Sequence, residues 1–264
     1  MTDPAPAATF ADLRLRVISG LVLALVGGGA IWAGGQVFDA LVLVICGLAV
    51  WELAGLTAPE APGTAVLLAV LVPLCLTIAV LFPAPVWKLI LLAPPLLLLA
   101  TPRRDRALAA GYGLAILIAG FGLILAPRWM VLWLVAVVVV SDLAGYFIGR
   151  LVGGPKFWPA LSPKKTWSGT VAGWIGALGV GFALSALSGQ PHWGLIIASP
   201  VLAFAGQLGD IAESWIKRRA GVKDASNLIP GHGGVMDRFD AMIGAALVLA
   251  LIFLAQHLTT GPQG

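Results

Sequence analysis

Charged residues are scarce in this chain. Asp, Glu, Lys and Arg together make up 11% of its 264 residues, against about 25% in a typical soluble domain. Hydrophobic residues make up 59%, and 33 glycines come on top of them. This composition excludes a disordered chain and a soluble globular protein. Because the apolar runs are continuous and do not alternate with polar residues, it also excludes a membrane β-barrel.

Cysteine is nearly absent, and the common nucleotide-binding motifs are missing. Cys46 and Cys75 both lie in apolar runs, so the sequence has neither a CxxC pair nor a disulfide framework. It contains no GxxxxGKS or GxxxxGKT loop, no GxGxxG and no GxSxG motif. A nucleotide bound by this chain would therefore be held by a metal, by cationic side chains and by backbone groups.

Apolar runs long enough to cross a membrane, which takes about 20 helical residues, are abundant. They predict an all-α polytopic membrane protein, a bundle of about nine transmembrane helices. Pro94 and Pro95 interrupt the fourth predicted span. The spans are predicted near residues 17–34, 37–54, 65–82, 86–101, 107–126, 130–149, 170–188, 194–212 and 241–258.

The basic residues predict the orientation, since Lys and Arg collect in cytoplasmic loops. With a cytoplasmic N-terminus and nine spans, 14 of the 16 Lys and Arg fall on the cytoplasmic side, and only Lys88 and Arg128 fall outside. The C-terminus is then outside. We expect a multi-pass protein of the cell (inner) membrane with its active site on the cytoplasmic side.

Charge also divides the chain along its length. Residues 1–140 have short, chemically plain loops and are expected to form a scaffold of transmembrane helices. Residues 141–264 carry two longer cytoplasmic segments, 150–169 and 213–240, and are expected to form the catalytic region.

Carboxylates cluster in the second of these segments and just before it. On a helix, Asp210, Ser214 and Lys217 lie on one face, and Asp237 and Asp240 share a face where the last helix begins. A charge at membrane depth costs about 2.5–3.5 kcal/mol on insertion scales, so such a residue is usually paired or binds a cation. Clustered carboxylates without nearby cysteine favour Mg²⁺ over zinc.

Cationic side chains at positions 217, 218, 219, 223 and 238 are interleaved with these carboxylates. Carboxylates for a metal beside cations for phosphates are the groups used in phosphoryl and nucleotidyl transfer. The glycines of Pro230-Gly-His-Gly-Gly allow the backbone to approach a phosphate closely. Upstream, Ser162–Thr166 places Lys164 and Lys165 at a turn before a helix, which is a reasonable phosphate site.

Each of these residues also has a plainer interpretation when taken singly. A basic residue such as Arg238 at a cytoplasmic edge is an ordinary orientation signal. Asp240 alone is a favourable charge at a helix N-terminus, and His232 alone is an ordinary loop histidine. Lys164 and Lys165 suit a basic patch at the membrane surface nearly as well. The chain as a whole has few charged residues, yet many are clustered here. This clustering favours a functional role for these residues taken together.

The run from Ser214 to Asp240 resembles the signature of phosphatidate cytidylyltransferases, the CDP-diacylglycerol synthases. It reads Ser214-x-Ile-Lys-Arg-x4-Lys-Asp-x-Ser-x2-Ile-Pro-x-His-Gly-Gly-Val-x-Asp-Arg-Phe-Asp240. Residues 146–150 and 162–167 resemble the same family. Where the family usually has Glu after Lys-Lys-Thr-Trp, this chain has Ser168.

The resemblance implies a nucleotidyltransferase of phospholipid biosynthesis that joins CTP and phosphatidate to give CDP-diacylglycerol and pyrophosphate. It implies Mg²⁺ as cofactor and leaves a second, monovalent cation open. CTP, phosphatidate and membrane lipid are the expected partners, no nucleic acid is expected, and small residues on several helices permit a homodimer.

The resemblance also implies roles for individual residues. Asp210 and Asp237 are expected to hold the metal, with Ser214 and Asp240 beside them. The expected catalytic set is Asp210, Lys217, Lys223, Asp224, Asp237, Arg238 and Asp240. The expected substrate-binding set is Lys164, Lys165, Ser214, Arg218, His232, Gly233 and Gly234.

Two other functions stay open at this point. In an ion-coupled carrier, Asp142 and Asp210 would be ion or proton sites, although most of the charge lies in predicted loops and no inverted repeat is visible. A CDP-alcohol phosphotransferase would need a differently spaced set of aspartates.

Overall fold

The computed structural model describes the backbone of residues 10–159, 161–189 and 192–260, and within these ranges the side chains except those of 10–13, 163 and 256–260. The helices are α1 (Phe10–Ala33), α2 (Gly35–Thr57), α3 (Pro62–Leu81), α4 (Pro85–Lys88), α5 (Ala93–Ala100), α6 (Arg106–Leu125), α7 (Arg128–Val152), α8 (Trp167–Leu187), α9 (Trp193–Ala220) and α10 (Met236–Thr260). The antiparallel strands β1 (Lys156–Trp158) and β2 (Ser162–Thr166) form a hairpin between α7 and α8.

Eight of the described helices are long and apolar enough to cross a membrane: α1, α2, α3, α6, α7, α8, α9 and α10. They confirm the predicted all-α polytopic membrane fold. Large apolar side chains, including those of Leu25, Leu151 and Leu187, are exposed on the outside of the bundle. Hydrocarbon rather than water suits such a surface.

The predicted fourth span is a broken helix. α4 ends at Lys88, a 3₁₀ turn covers Leu89–Leu92, and Pro94 and Pro95 lie in the first turn of α5. Proline fits there because the first helical N–H groups have no partner within the helix. Just beyond α5, Arg103 Nη1 donates to Thr57 Oγ1 at 3.0 Å, at the end of α2. Residues 82–100 therefore lead back across the bundle.

Several polar helix ends lie together at one end of the bundle, and we call the surface at this end the polar face. Arg219 near the end of α9 donates to Asp105 before α6, with Nε 2.7 Å from Oδ2. Ser19 Oγ in α1 lies 2.6 Å from His232 Nδ1 in the loop before α10. At the opposite end of the bundle, Arg128 Nη2 donates to Ala33 O. Placing the polar face in the cytoplasm stays a prediction.

Helices α9 and α10 cross with their backbones in contact. A Cβ atom added to Gly209 would collide with the carbonyl oxygen of Asp240 and lie 3.0 Å from Gly244 Cα. One added to Gly244 would collide with the carbonyl oxygen of Ala205. Glycine at both positions permits this approach, and the crossing sets the polar end of α9 beside the first turns of α10.

Both ends of the predicted segment 213–240 are helical, so its loop is shorter than that range. α9 continues to Ala220 and α10 begins at Met236. Polar residues do not end α9, because Lys217 pairs with Glu213 one turn earlier, Nζ to Oε2 2.7 Å. Gly221 ends the helix with a φ of 79°, a backbone conformation that glycine adopts at little cost. The loop is therefore residues 221–235.

The predicted segment 150–169 is also shorter than expected. α7 reaches Val152 and α8 begins at Trp167, whose preceding residue Thr166 accepts a hydrogen bond from the Gly169 N–H as a helix cap. Lys164 and Lys165 lie in β2, so the expectation of a turn at these lysines is wrong.

Replacing Gly244 with alanine is expected to destabilise the bundle by about 1–3 kcal/mol, because the new methyl group has no room at the α9–α10 crossing. The matched change Gly179→Ala, in α8, adds a methyl group where nothing lies within 4 Å, so it should leave stability unchanged or slightly higher. Thermal unfolding in detergent measures both. Equal melting temperatures for the two variants would contradict the backbone contact.

Candidate functional site

Three carboxylates meet where α9 and α10 cross. Asp210, Glu213 and Asp240 each offer an oxygen atom within 4.8 Å of the others, and we call them the carboxylate cluster. Glu213 is fully buried, whereas Asp210 and Asp240 are partly exposed. Ser214 Oγ lies 3.4 Å from Asp210 Oδ1. The structure thus brings together three of the four predicted metal ligands, Asp210, Ser214 and Asp240.

Glu213 is the member of the cluster that the sequence analysis did not select. Lys217 Nζ lies 2.7 Å from its Oε2 atom as an ion pair, yet neither carboxylate oxygen has an aligned hydrogen-bond partner among the described residues. Oxygen atoms of a buried carboxylate that lack a hydrogen bond are unfavourable in free energy. An oxygen-seeking cation would satisfy them, so the donor set fits Mg²⁺.

Asp237 borders the cluster and is fully engaged by the protein. Its Oδ1 accepts from Lys217 Nζ at 2.6 Å, and its Oδ2 accepts from the N–H groups of Ala225 at 2.8 Å and Gly234 at 2.7 Å. Asp237 therefore ties both ends of the 221–235 loop to α9. Its expected role as a metal ligand stays a prediction.

Glu52, in the last part of α2, contacts the same loop. Its Oε1 accepts from Ser226 Oγ at 2.6 Å and from the Val235 N–H at 2.9 Å, while Oε2 accepts from the Met236 N–H at 2.6 Å. The side chain is buried and lies at the N-terminus of α10, where a negative charge is favoured. Glu52 thus holds the first turn of α10 in place.

Gly233 and Gly234 allow these two carboxylates to approach the loop. Gly233 has a φ of 80°, and a Cβ there would lie 2.7 Å from Asp237 Oδ2. A Cβ on Gly234 would lie 2.5 Å from Glu52 Oε1. In this structure the groups that approach these glycines closely are carboxylates. Binding of a substrate phosphate by the same glycines stays a prediction.

The hairpin brings one of its two lysines to the cluster. Lys165 forms an ion pair with Asp210, while the side chain of Lys164 is exposed. Ser168, in the position where the family usually has Glu, donates to the Gly153 carbonyl and lies 3.0 Å from Thr166 Oγ1. Ser168 therefore fastens the hairpin to the end of α7.

His232 links the loop to α1 through Ser19. Burial, followed by the charges of Arg238 and Arg16, lowers the pKa of His232 below its usual value. The ring is therefore neutral at pH 7, and any phosphate contact it makes is a hydrogen bond rather than an ion pair.

The other predicted residues lie at the rim of the polar face. Arg218, Lys223, Asp224 and Arg238 are exposed. A Cβ on Gly233 would lie 3.4 Å from Asp224 Cβ, so that residue borders the glycine loop. Exposed cations at a site edge attract anionic ligands, which agrees with the phosphate-binding role predicted for three of them.

Arg219 has a structural partner instead. It forms a bidentate hydrogen bond with Asp105. This contact is the main cause that lowers the pKa of Asp105 below its usual value. The contact ties the end of α9 to the loop before α6.

The comparisons with known proteins agree with this geometry. The sequence profile of the cytidylyltransferase family matches residues 14–255, so the chain belongs to that family, a family of nucleotidyltransferases. Over 267 aligned positions it is 33% identical to the phosphatidate cytidylyltransferase of Pseudomonas aeruginosa, covering 92% of this chain and 97% of that one. The family predicted from the 214–240 motif is thereby confirmed.

Other relatives match over a shorter stretch. The chain is 46% identical over 122 residues to the phosphatidate cytidylyltransferase of Brucella suis, which is 46% of this chain and 45% of the relative. It is 39% identical over 126 residues to the enzyme of the same name from Staphylococcus saprophyticus, 47% of this chain and 48% of the relative. These alignments span about half of each relative's length.

Two residues that matter in the structure were not among the predicted site residues. Glu213 lies three residues after Asp210, so its helical spacing was a usable signal. Glu52 was a lone acidic residue inside an apolar run, which is itself a sign of function or of a buried partner. Its partners, Ser226, Val235 and Met236, lie far along the chain, and the sequence alone does not name them.

Replacing Glu52 with alanine is expected to loosen the start of α10. Two buried N–H groups would lose their acceptor, at about 1–3 kcal/mol each. Hydrogen exchange in the peptide covering residues 226–236 should speed up by on the order of tenfold or more. Glu60→Ala removes an exposed carboxylate and serves as the control. Unchanged exchange in the Glu52 variant would contradict the clamp.

Proposed function

We propose that this protein transfers the cytidylyl group of CTP to phosphatidate in a Mg²⁺-dependent reaction, giving CDP-diacylglycerol and pyrophosphate. The observation that carries the proposal is the carboxylate cluster, which joins Asp240 of the family signature to Asp210 and Glu213 just before it and is bordered by exposed cations on one face of the bundle. Relatives that bear the name phosphatidate cytidylyltransferase, one of them aligned over 92% of this chain, support it.

Asp210, Glu213 and Asp240 are the residues that would hold the metal, with Ser214 beside Asp210. A bound Mg²⁺ supplies positive charge to phosphate oxygens and stabilises the leaving pyrophosphate. Its usual protein ligands are one or two carboxylates together with substrate phosphates. A monovalent cation beside it belongs to the same proposal and is tested by varying K⁺ and Na⁺ in the assay.

The reaction does not require the protein to supply a strong general base. A phosphate monoester has a second pKa near about 6, so phosphatidate is mostly a dianion at pH 7 and needs no strong base. One of its oxygens attacks the α-phosphorus of CTP, a new P–O bond forms, and the bond to the β-phosphate breaks. The protein must bring two anions together. Lys164, Arg218, Lys223 and Arg238 are placed at the rim to do so.

An apolar cavity of about 350 Å³ next to the 221–235 loop supports a lipid substrate. It lies among α1, α2, α6, α7 and α10, and Leu228, Ile229 and Val235 line its end at the loop. Acyl chains need such a surface close to the reacting phosphate. CTP comes from the cytosol, so the polar face is cytoplasmic in this proposal, and the membrane is the bacterial inner membrane.

The test is pyrophosphate release by the protein purified in detergent. Release is expected to need CTP, phosphatidate and Mg²⁺ together, and a lipid carrying cytidine diphosphate should form in equal amount. Release without phosphatidate, or no release from a folded protein, would contradict the proposal. Ion or proton flux in proteoliposomes without lipid product would favour the carrier instead.

Asp210→Asn and Asp240→Asn are each expected to lower pyrophosphate release by at least about 100-fold, the upper end of what groups around a metal ligand contribute. Asp237→Asn is expected to abolish turnover while the protein stays folded. Asp39→Asn is the control, because Asp39 lies with Arg128 at the opposite end of the bundle. Near-normal activity of the Asp210 and Asp240 variants would rule out the metal assignment.

A further inference from the structure

Tyr112 is a buried polar side chain that the proposed reaction has not used so far. It lies in α6, within the apolar core, and only 8% of its surface is exposed. Its hydroxyl group has no hydrogen-bond partner among the described residues. A buried hydroxyl without a partner is costly relative to a satisfied one, so its position needs an explanation.

The surroundings of Tyr112 supply that explanation. Helix α6 packs against α10, and Tyr112 lies near enough to Asp240, Glu213, Asp210 and Asp237 to interact electrostatically with them. In the described part of the chain, the buried side-chain oxygens without a hydrogen bond are those of Tyr112 and the two of Glu213. The two oxygens of Glu213 belong to the carboxylate cluster, and unsatisfied buried atoms in a native protein commonly mark a bound ion or water.

We propose that Tyr112 is a positioning residue of the cation site: its hydroxyl donates a hydrogen bond to an oxygen ligand of the cation held by Asp210, Glu213 and Asp240. α9 and α10 supply the carboxylates, and α6 supplies this neutral donor. A phenol suits the place because it donates without adding a charge. The proposal rests on the Mg²⁺ site of the proposed function.

Tyr112→Phe removes only the hydroxyl group, and Mn²⁺ alone serves as the probe because it shares the oxygen preference of Mg²⁺. Mn²⁺ binding to the detergent-purified protein, followed by the electron paramagnetic resonance of the free ion, should weaken by about 3- to 10-fold, the worth of one hydrogen bond. Without metal, the variant should unfold at the same temperature as the wild type or higher, since the hydroxyl has no bond to lose.

Tyr146→Phe is the matched control. Tyr146 is the other tyrosine of the chain, and its exposed hydroxyl accepts from Arg150 Nη1 at 3.0 Å. This variant should bind Mn²⁺ like the wild type. Glu213→Gln combined with Tyr112→Phe should weaken binding by less than the product of the two single effects, because both side chains act at one cation site.

The outcomes separate the two claims. If the wild type binds Mn²⁺ and Tyr112→Phe binds it equally well, the inference is wrong and the proposed function stands. If Tyr112→Phe lowers the unfolding temperature without metal, the hydroxyl has a structural bond, and the inference is again overturned. If the wild type binds no Mn²⁺, the metal site fails together with this inference, whereas the pyrophosphate assay still tests cytidylyl transfer.

Discussion

The backbone contact between Gly209 and Gly244 is the constraint on which the rest of the site depends. A side chain at either position would push α9 and α10 apart. At the distance that glycine permits, Asp210 and Glu213 from one helix meet Asp240 from the other within 4.8 Å. Like charges brought this close repel one another, and Lys165 and Lys217, paired with Asp210 and Glu213, offset part of that repulsion.

The carboxylates around this crossing divide into two groups by what they bind. Glu52 and Asp237 accept several hydrogen bonds from backbone N–H groups and hold the 221–235 loop against the helices. Asp210 and Glu213 have lysine partners, Lys165 and Lys217, but the oxygens of Glu213 lack aligned hydrogen bonds. The first group holds the loop in place, and the second belongs to the carboxylate cluster.

Much of the fold could be predicted from the sequence, because membrane insertion is controlled by local hydrophobicity. The long spans follow from runs of apolar residues, and the break in the fourth follows from its two prolines. The ion pair of Lys217 with Asp237 could not, since it joins two different helices across the 221–235 loop. The partners of Glu52 were beyond prediction for the same reason, because they lie more than 170 positions further along the chain.

The measurement that tests the central claim most directly is the fate of the three phosphorus atoms of CTP. With CTP labelled at the α-phosphorus, the protein and phosphatidate should move the label into the organic lipid fraction in the presence of Mg²⁺. With CTP labelled at the γ-phosphorus, the label should stay in water as pyrophosphate. Label from the γ-position in the lipid, or from neither position while the protein is folded, would contradict cytidylyl transfer at this site.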